Sequence, residues 1–191
     1  DTDRLANMIS AMATVLVLGT FDSKGQEYRY LIEQLRVHGV DAFTVDTGVR
    51  GQQLIPADVG PEQVAAAAGV AIDDLRRAGD RGPAVAAMTR GAASVVAGLA
   101  AQRRIDAAIA LGGTGGTSIA SAAFRELPLG VPKVIVSTAA SGDTRAYVGE
   151  SDLVLMPSVT DVAGINRLSA RILANAAAAV AGMATAPVMW K

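Results

Sequence analysis

Cysteine is absent from the chain. That excludes disulfides and thiolate metal sites, and it fits a reducing, cytoplasmic setting. Histidine occurs once, at His38, which excludes a histidine-rich metal centre. His38 falls near the C-terminal end of the first predicted helix, where an imidazolium complements the helix dipole. An excess of basic charge is missing too. Lys and Arg number 17 against 18 Asp and Glu, a net charge of -1, so no field exists to draw in nucleic acid or an anionic membrane surface. The only long apolar run, Ile172 to Met189, is mostly alanine and carries Asn175 and Pro187. It reads as a helix packed against protein rather than as a membrane span.

What remains is enough for one ordinary folded domain: 191 residues, 51% of them hydrophobic. Residues 1–12 read as a flexible leader without a secretory signal, 13–185 as the domain and 186–191 as a tail. Thr14 to Leu18 is a continuous apolar run suited to a strand buried on both faces. Tyr28, Leu31, Ile32 and Leu35 then recur at helical spacing, with Gly39 placed as a C-terminal cap and a second strand at Val40 to Val45. Asp46 to Gly82 predicts an ordered excursion with short helical pieces near Gln63 to Ala68 and Asp73 to Ala78. Pro83 opens a long helix to about Gln102. Strands at Ala107 to Leu111, Lys133 to Ser137 and Leu153 to Met156 follow, with helices at Thr117 to Phe124 and Val162 to Met183. This alternation specifies an α/β fold, a Rossmann-like three-layer sandwich with a mainly parallel five-stranded sheet in the order 2-1-3-4-5.

In such a sheet ligands sit beyond the carboxyl ends of the strands, where the strand order reverses. Here that place lies between the first and third strands. The loop after the third strand, Gly112-Gly113-Thr114-Gly115-Gly116-Thr117, delivers a glycine-rich turn to a helix N-terminus, whose free N–H groups and dipole suit a phosphate. The same glycines also suit a plain tight turn. Thr20, Phe21, Asp22 and Lys24 belong to the loop after the first strand, and Thr138, Ser141, Gly142 and Asp143 to the loop after the fourth. Ser158 to Asp161 supplies another turn of the same composition. Asp22, Asp143 and Asp161 suit a ribose hydroxyl, a magnesium ion or a base, and equally a helix cap. Arg50, Thr89 and Arg90 could reach a phosphate, or be ordinary surface residues. Neither the dinucleotide fingerprint nor the Walker A order is present, because the third glycine is missing and Lys24 precedes Gly25.

The segments GTFDSKG (Gly19 to Gly25), VDTGV (Val45 to Val49), GDRGPAVAAMTRGA (Gly79 to Ala92), LGGTGGTS (Leu111 to Ser118), STAASGD (Ser137 to Asp143) and SVTDVAGIN (Ser158 to Asn166) occur in this order. With them the chain resembles the Tm-1-like ATP-binding domain family of bacterial proteins and the tomato mosaic virus resistance protein. The resemblance implies the first half of a two-domain protein that binds ATP, with magnesium as a candidate companion. The last helix would then pack against the missing C-terminal domain or a second copy of the chain. Three readings stay open: a nucleotide-binding domain, a regulatory or protein-interaction module with ATP as a structural ligand, and part of an enzyme acting on another phosphorylated small molecule.

Overall fold

The computed structural model describes residues 12–161 and 163–187. Residues 1–11 of the expected leader and 188–191 of the expected tail lie outside the described residues. In chain order the elements are β1 (Thr14–Gly19), α1 (Gly25–Val37), β2 (Asp41–Asp46), α2 (Pro61–Ala67), α3 (Ile72–Ala78), α4 (Arg81–Ala101) and β3 (Ala107–Gly112). They continue with α5 (Thr114–Phe124), β4 (Lys133–Ser137), α6 (Arg145–Val148), β5 (Leu153–Pro157) and α7 (Arg167–Thr185). All neighbouring strands are parallel, in the order β2-β1-β3-β4-β5. The expected α/β three-layer architecture is therefore present.

The layers follow from the two-residue period of a strand. Val15 and Val17 of β1, Ile109 and Leu111 of β3, and Val134 and Val136 of β4 bury against Tyr28 and Leu31 of α1 and Leu173 and Val180 of α7. Leu16, Leu18, Ala108, Ala110 and Ile135 point the other way, onto Val64 of α2, Met88 and Val96 of α4, and Ile119 and Phe124 of α5. By length and composition α4 and α7 are each apolar enough to cross a membrane. Both lay an apolar stripe on this sheet, Met88, Ala92, Val96 and Leu99 from α4 and Leu173, Ala176, Ala177 and Val180 from α7. Within the apolar run from Ile172, the stripe Leu173, Ala176, Ala177 and Val180 is buried by this packing.

Capping explains where the helices depart from the sequence expectation. α4 starts at Arg81, before Pro83, because Asp80 caps it: its Oδ1 accepts the Gly82 N–H at 3.0 Å. Pro83 falls within the first turn, where an N–H has no intrahelical acceptor to lose. α7 starts at Arg167 and not at Val162, which itself lies outside the described residues. Gly164 has φ +77, a left-handed conformation that no helix continues. Asn166 then caps α7, its Oδ1 accepting from the Leu168 and Ser169 N–H groups at 2.9 and 3.0 Å while Ser169 Oγ accepts the Asn166 N–H at 2.8 Å. α5 starts at Thr114, three residues earlier than expected, so most of the glycine turn is the helix's own first turn. The single turn of α6 is too short to show a period in sequence.

Candidate functional site

β1 and β3 are neighbours in the sheet, yet β1 feeds α1 on one face and β3 feeds α5 on the other. The chain divides there and leaves a crevice at the strand ends. β1–β3 pairing reaches Leu18 opposite Ala110. Just beyond, the buried Tyr28 hydroxyl takes over. Its Oη accepts the Leu111 N–H at 3.0 Å and lies 2.8 Å from both the Leu18 and Leu111 carbonyl oxygens, which share its single proton. Burial pushes the Tyr28 phenol well above the usual tyrosine range, so it stays a neutral hydroxyl. Gly19 makes room for it: a Cβ there would stand 1.8 Å from Tyr28 Oη.

The end of β2 locks the loop that follows β1. Thr47 N–H donates to the Gly19 carbonyl at 2.7 Å, Phe21 N–H to Asp46 Oδ1 at 2.9 Å, and Arg50 N–H to Asp22 Oδ2 at 2.7 Å. Asp46 also accepts the Gly48 N–H at 2.8 Å. Burial raises the Asp46 carboxyl above the usual carboxylate range, against the lowering effect of those two amides. At the far side the chain after β5 returns across the strand ends. Gly164 N–H donates to Glu27 Oε1 at 2.5 Å, and Glu27 is buried in the first turn of α1.

These segments enclose a cleft of about 450 Å³, within the size range of small-molecule sites. Thr20, Asp22, Ser23 and Lys24 line it from the β1 loop, and Gly112, Gly113, Gly115, Gly116 and Ile119 from β3 and α5. The excursion after β2 adds Thr47, Val49, Arg50, Leu75 and Arg76, and the start of α4 adds Arg81, Val85 and Met88. Asp161 completes the lining from the returning chain. The first helical bond of α5 is Thr117 N–H to the Gly113 carbonyl, 2.9 Å, and among the described residues no side-chain hydrogen bond caps the helix. The N–H groups of Thr114, Gly115 and Gly116 thus have no acceptor within the helix. Arg81 lies over this turn: its Nη2 is 3.5 Å from where a Cβ on Gly115 would be. Arg76 is engaged in structure, paired with Glu62 and Asp73 at 3.2 Å each and donating from Nε to the Val49 carbonyl.

The residues expected at the site separate into groups. Thr20, Asp22, Lys24, Gly112, Gly113, Gly115 and Gly116 come together on the cleft. Phe21 is fully buried against Tyr28, with ring centroids 4.9 Å apart, so its ring props the loop from beneath. Thr117 is buried as well; its Oγ1 bonds the Gly113 carbonyl at 2.9 Å and Ser137 Oγ at 2.7 Å. Thr114 is exposed beside the lining residues. Thr138, Ser141, Gly142 and Asp143 are exposed and lie outside the cleft lining. Thr138 flanks the turn, its N–H donating to the Gly112 carbonyl at 3.2 Å. Asp143 forms a fork with Arg145 Nε and Nη2, and those hydrogen bonds hold its carboxyl below the usual range. Thr47, Leu75 and Arg81 were not singled out from the sequence; the VDTGV and GDRGP segments carried the only signal for Thr47 and Arg81.

Comparison with known proteins matches this arrangement to one family. Residues 13–188 match the family described as Uncharacterised protein family (UPF0261) N-terminal domain. A UPF0261 protein of Clostridium tetani is 45% identical over 169 residues, covering 88% of this chain and 42% of the relative. One from Mesorhizobium japonicum is 46% identical over 178 residues, covering 92% and 43%. The ToMV resistance protein Tm-1(GCR237) of Solanum lycopersicum is 38% identical over 195 residues, covering 94% of the chain and 26% of the relative. The chain therefore spans less than half the length of these relatives. It belongs to the UPF0261 family and corresponds to that family's N-terminal domain.

Proposed function

We propose that this domain binds a nucleotide, ATP first among candidates, with its phosphates on the N-terminus of α5. The observation that carries the reading is the uncapped first turn of α5, opening into the cleft between β1 and β3 under Arg81. Unpaired N–H groups and the helix dipole attract an anion there. Lys24 and Arg50 add positive charge to the lining. Val49, Leu75, Val85 and Met88 give the same cleft an apolar wall that a bare phosphate would not use. The choice of ATP rests on the motif resemblance.

Among the described residues no group of three or more His, Asp or Glu side chains converges to hold a metal ion. Magnesium would therefore enter with the phosphates, with Asp22 or Asp161 of the cleft lining as its protein ligand. Calorimetric titration with ATP, ADP and sugar phosphates, with and without magnesium, tests the reading; failure of every nucleotide to bind would sink it. Gly115→Leu provides the residue-level check. A Cβ at Gly115 meets only ordinary contacts, the nearest at 3.5 Å, and leucine favours a helix more than glycine does. The variant should fold as the parent does and lose at least about tenfold in ATP affinity, roughly 1.4 kcal/mol. Unchanged affinity would make the turn purely structural.

A further inference from the structure

In dinucleotide-binding sheets of strand order 3-2-1-4-5-6 an acidic side chain after the second strand meets a ribose hydroxyl; in the order 2-1-3-4-5 seen here the shared rule is a ligand at the β1/β3 switch point. Asp46 ends β2 here, but it is turned inward onto the Phe21 and Gly48 amides and does not line the cleft. The next residue does. Thr47 lines the cleft, is 2% exposed, and its Oγ1 has no hydrogen-bond partner among the described residues. A buried hydroxyl without a partner destabilises the empty protein, and valine would fill the same volume without that penalty. Its position along the sheet matters as well. β2 and β3 flank β1, so two strand spacings of about 4.8 Å, roughly 10 Å in all, separate them. A ligand with its phosphates on α5 and its length across the β1 loop carries its sugar toward Thr47, with Val49 and Leu75 as apolar surface beyond.

We infer that Thr47 is the ribose-reading residue of the cleft, its hydroxyl hydrogen-bonded to a sugar hydroxyl of the bound nucleotide. The inference rests on the nucleotide reading given above. It is tested by calorimetric titration of the parent chain, Thr47→Val and Thr47→Ser with ATP, 2′-deoxy-ATP and 3′-deoxy-ATP, alongside thermal melting of each empty protein. The parent should prefer ATP to one of the deoxy analogues by about tenfold. Thr47→Val should bind ATP about tenfold more weakly, lose the preference between sugars, and melt at or above the parent. Thr47→Ser should keep most of the affinity and the preference. A parent indifferent to the sugar hydroxyls, or a Thr47→Val variant that still discriminates, overturns the inference. So does a Thr47→Val variant that melts far below the parent, because the hydroxyl would then be holding the fold. Failure of the parent to bind any nucleotide removes the proposed function too; ATP binding with Thr47 indifferent removes this inference alone.

Discussion

Two aspartates at opposite edges of one sheet have been pushed in opposite directions. Asp46 ends β2 at the edge that carries the cleft, and burial raises its carboxyl despite two amide donors. Asp152 precedes β5 at the other edge. Burial acts on it in the same sense, but the hydrogen bonds from Lys133 and the Gly130 N–H, together with the Lys133 charge, prevail and lower it. Lys133 is buried at the first position of β4, and its Nζ donates to Asp152 at 2.7 Å and to the Pro128 and Val131 carbonyls at 2.8 and 2.7 Å. That edge satisfies its own polar groups. The cleft edge instead keeps, among the described residues, a helix with no side-chain cap, a Thr47 hydroxyl without a partner and a carboxylate held by two backbone amides and the Gln53 side chain. One edge closes on its own side chains, and the other keeps a cleft with polar groups left over.

The strongest way to break this contrast is Gly19→Val. A Cβ already falls 1.8 Å from Tyr28 Oη, and the hydroxyl cannot retreat without abandoning Leu18 and Leu111. Chemical denaturation should show a loss on the order of 3 kcal/mol or more, with the cleft lost alongside. A variant as stable as the parent would mean that the strand ends are not held by this contact. Next in size is Lys133→Met at the closed edge. It strands two carbonyls and an aspartate that is half open to water, for an expected loss of about 2 kcal/mol with nucleotide affinity unchanged. Altered affinity would show that the two edges are coupled.

Asp46→Asn has the smallest effect in free energy and the clearest sign. The Asp46 carboxyl titrates above the unfolded value of about 3.9, so its contribution to stability is present below that value and is lost as pH rises through the folded-state value. Asparagine keeps an oxygen for the two amides and removes that loss. Between about pH 4 and neutrality the parent should therefore weaken relative to the variant. Asp152 works the other way: its contribution is present above about 3.9 and is lost as pH falls through its lowered value. Parallel denaturation curves for parent and Asp46→Asn across this range would dissolve the comparison.

Much of this was legible in residue order. The apolar runs of β1, β3 and β4 mark a doubly wound sheet because parallel strands are buried on both faces, and the switch point follows from strand order. The glycine turn was visible for the same reason. The cleft's other wall was not. Thr47 and Val49 sit in an excursion without a period, and Leu75 and Arg81 reach the cleft only because Gly79, at φ +64, turns α3 into α4. Asp143 was a candidate because it follows a strand end, and Arg145 two residues on gives it a local partner that strand order does not disclose. The start of α7 was misplaced because a run of small apolar residues reads as helix until the Asn166 cap is weighed against it.

The contact between Glu27 and Gly164 joins residues 137 positions apart, and its meaning is kinetic. Closing a loop of that length has an entropic cost that local contacts do not offset. The first βα unit can therefore fold early, while the cleft's outer wall arrives only when the chain past β5 swings back. Glu27→Gln should accordingly speed unfolding and leave the folding rate nearly untouched, a φ-value near zero in stopped-flow measurements. The cleft edge of this domain would be the last part to fold and the first to open.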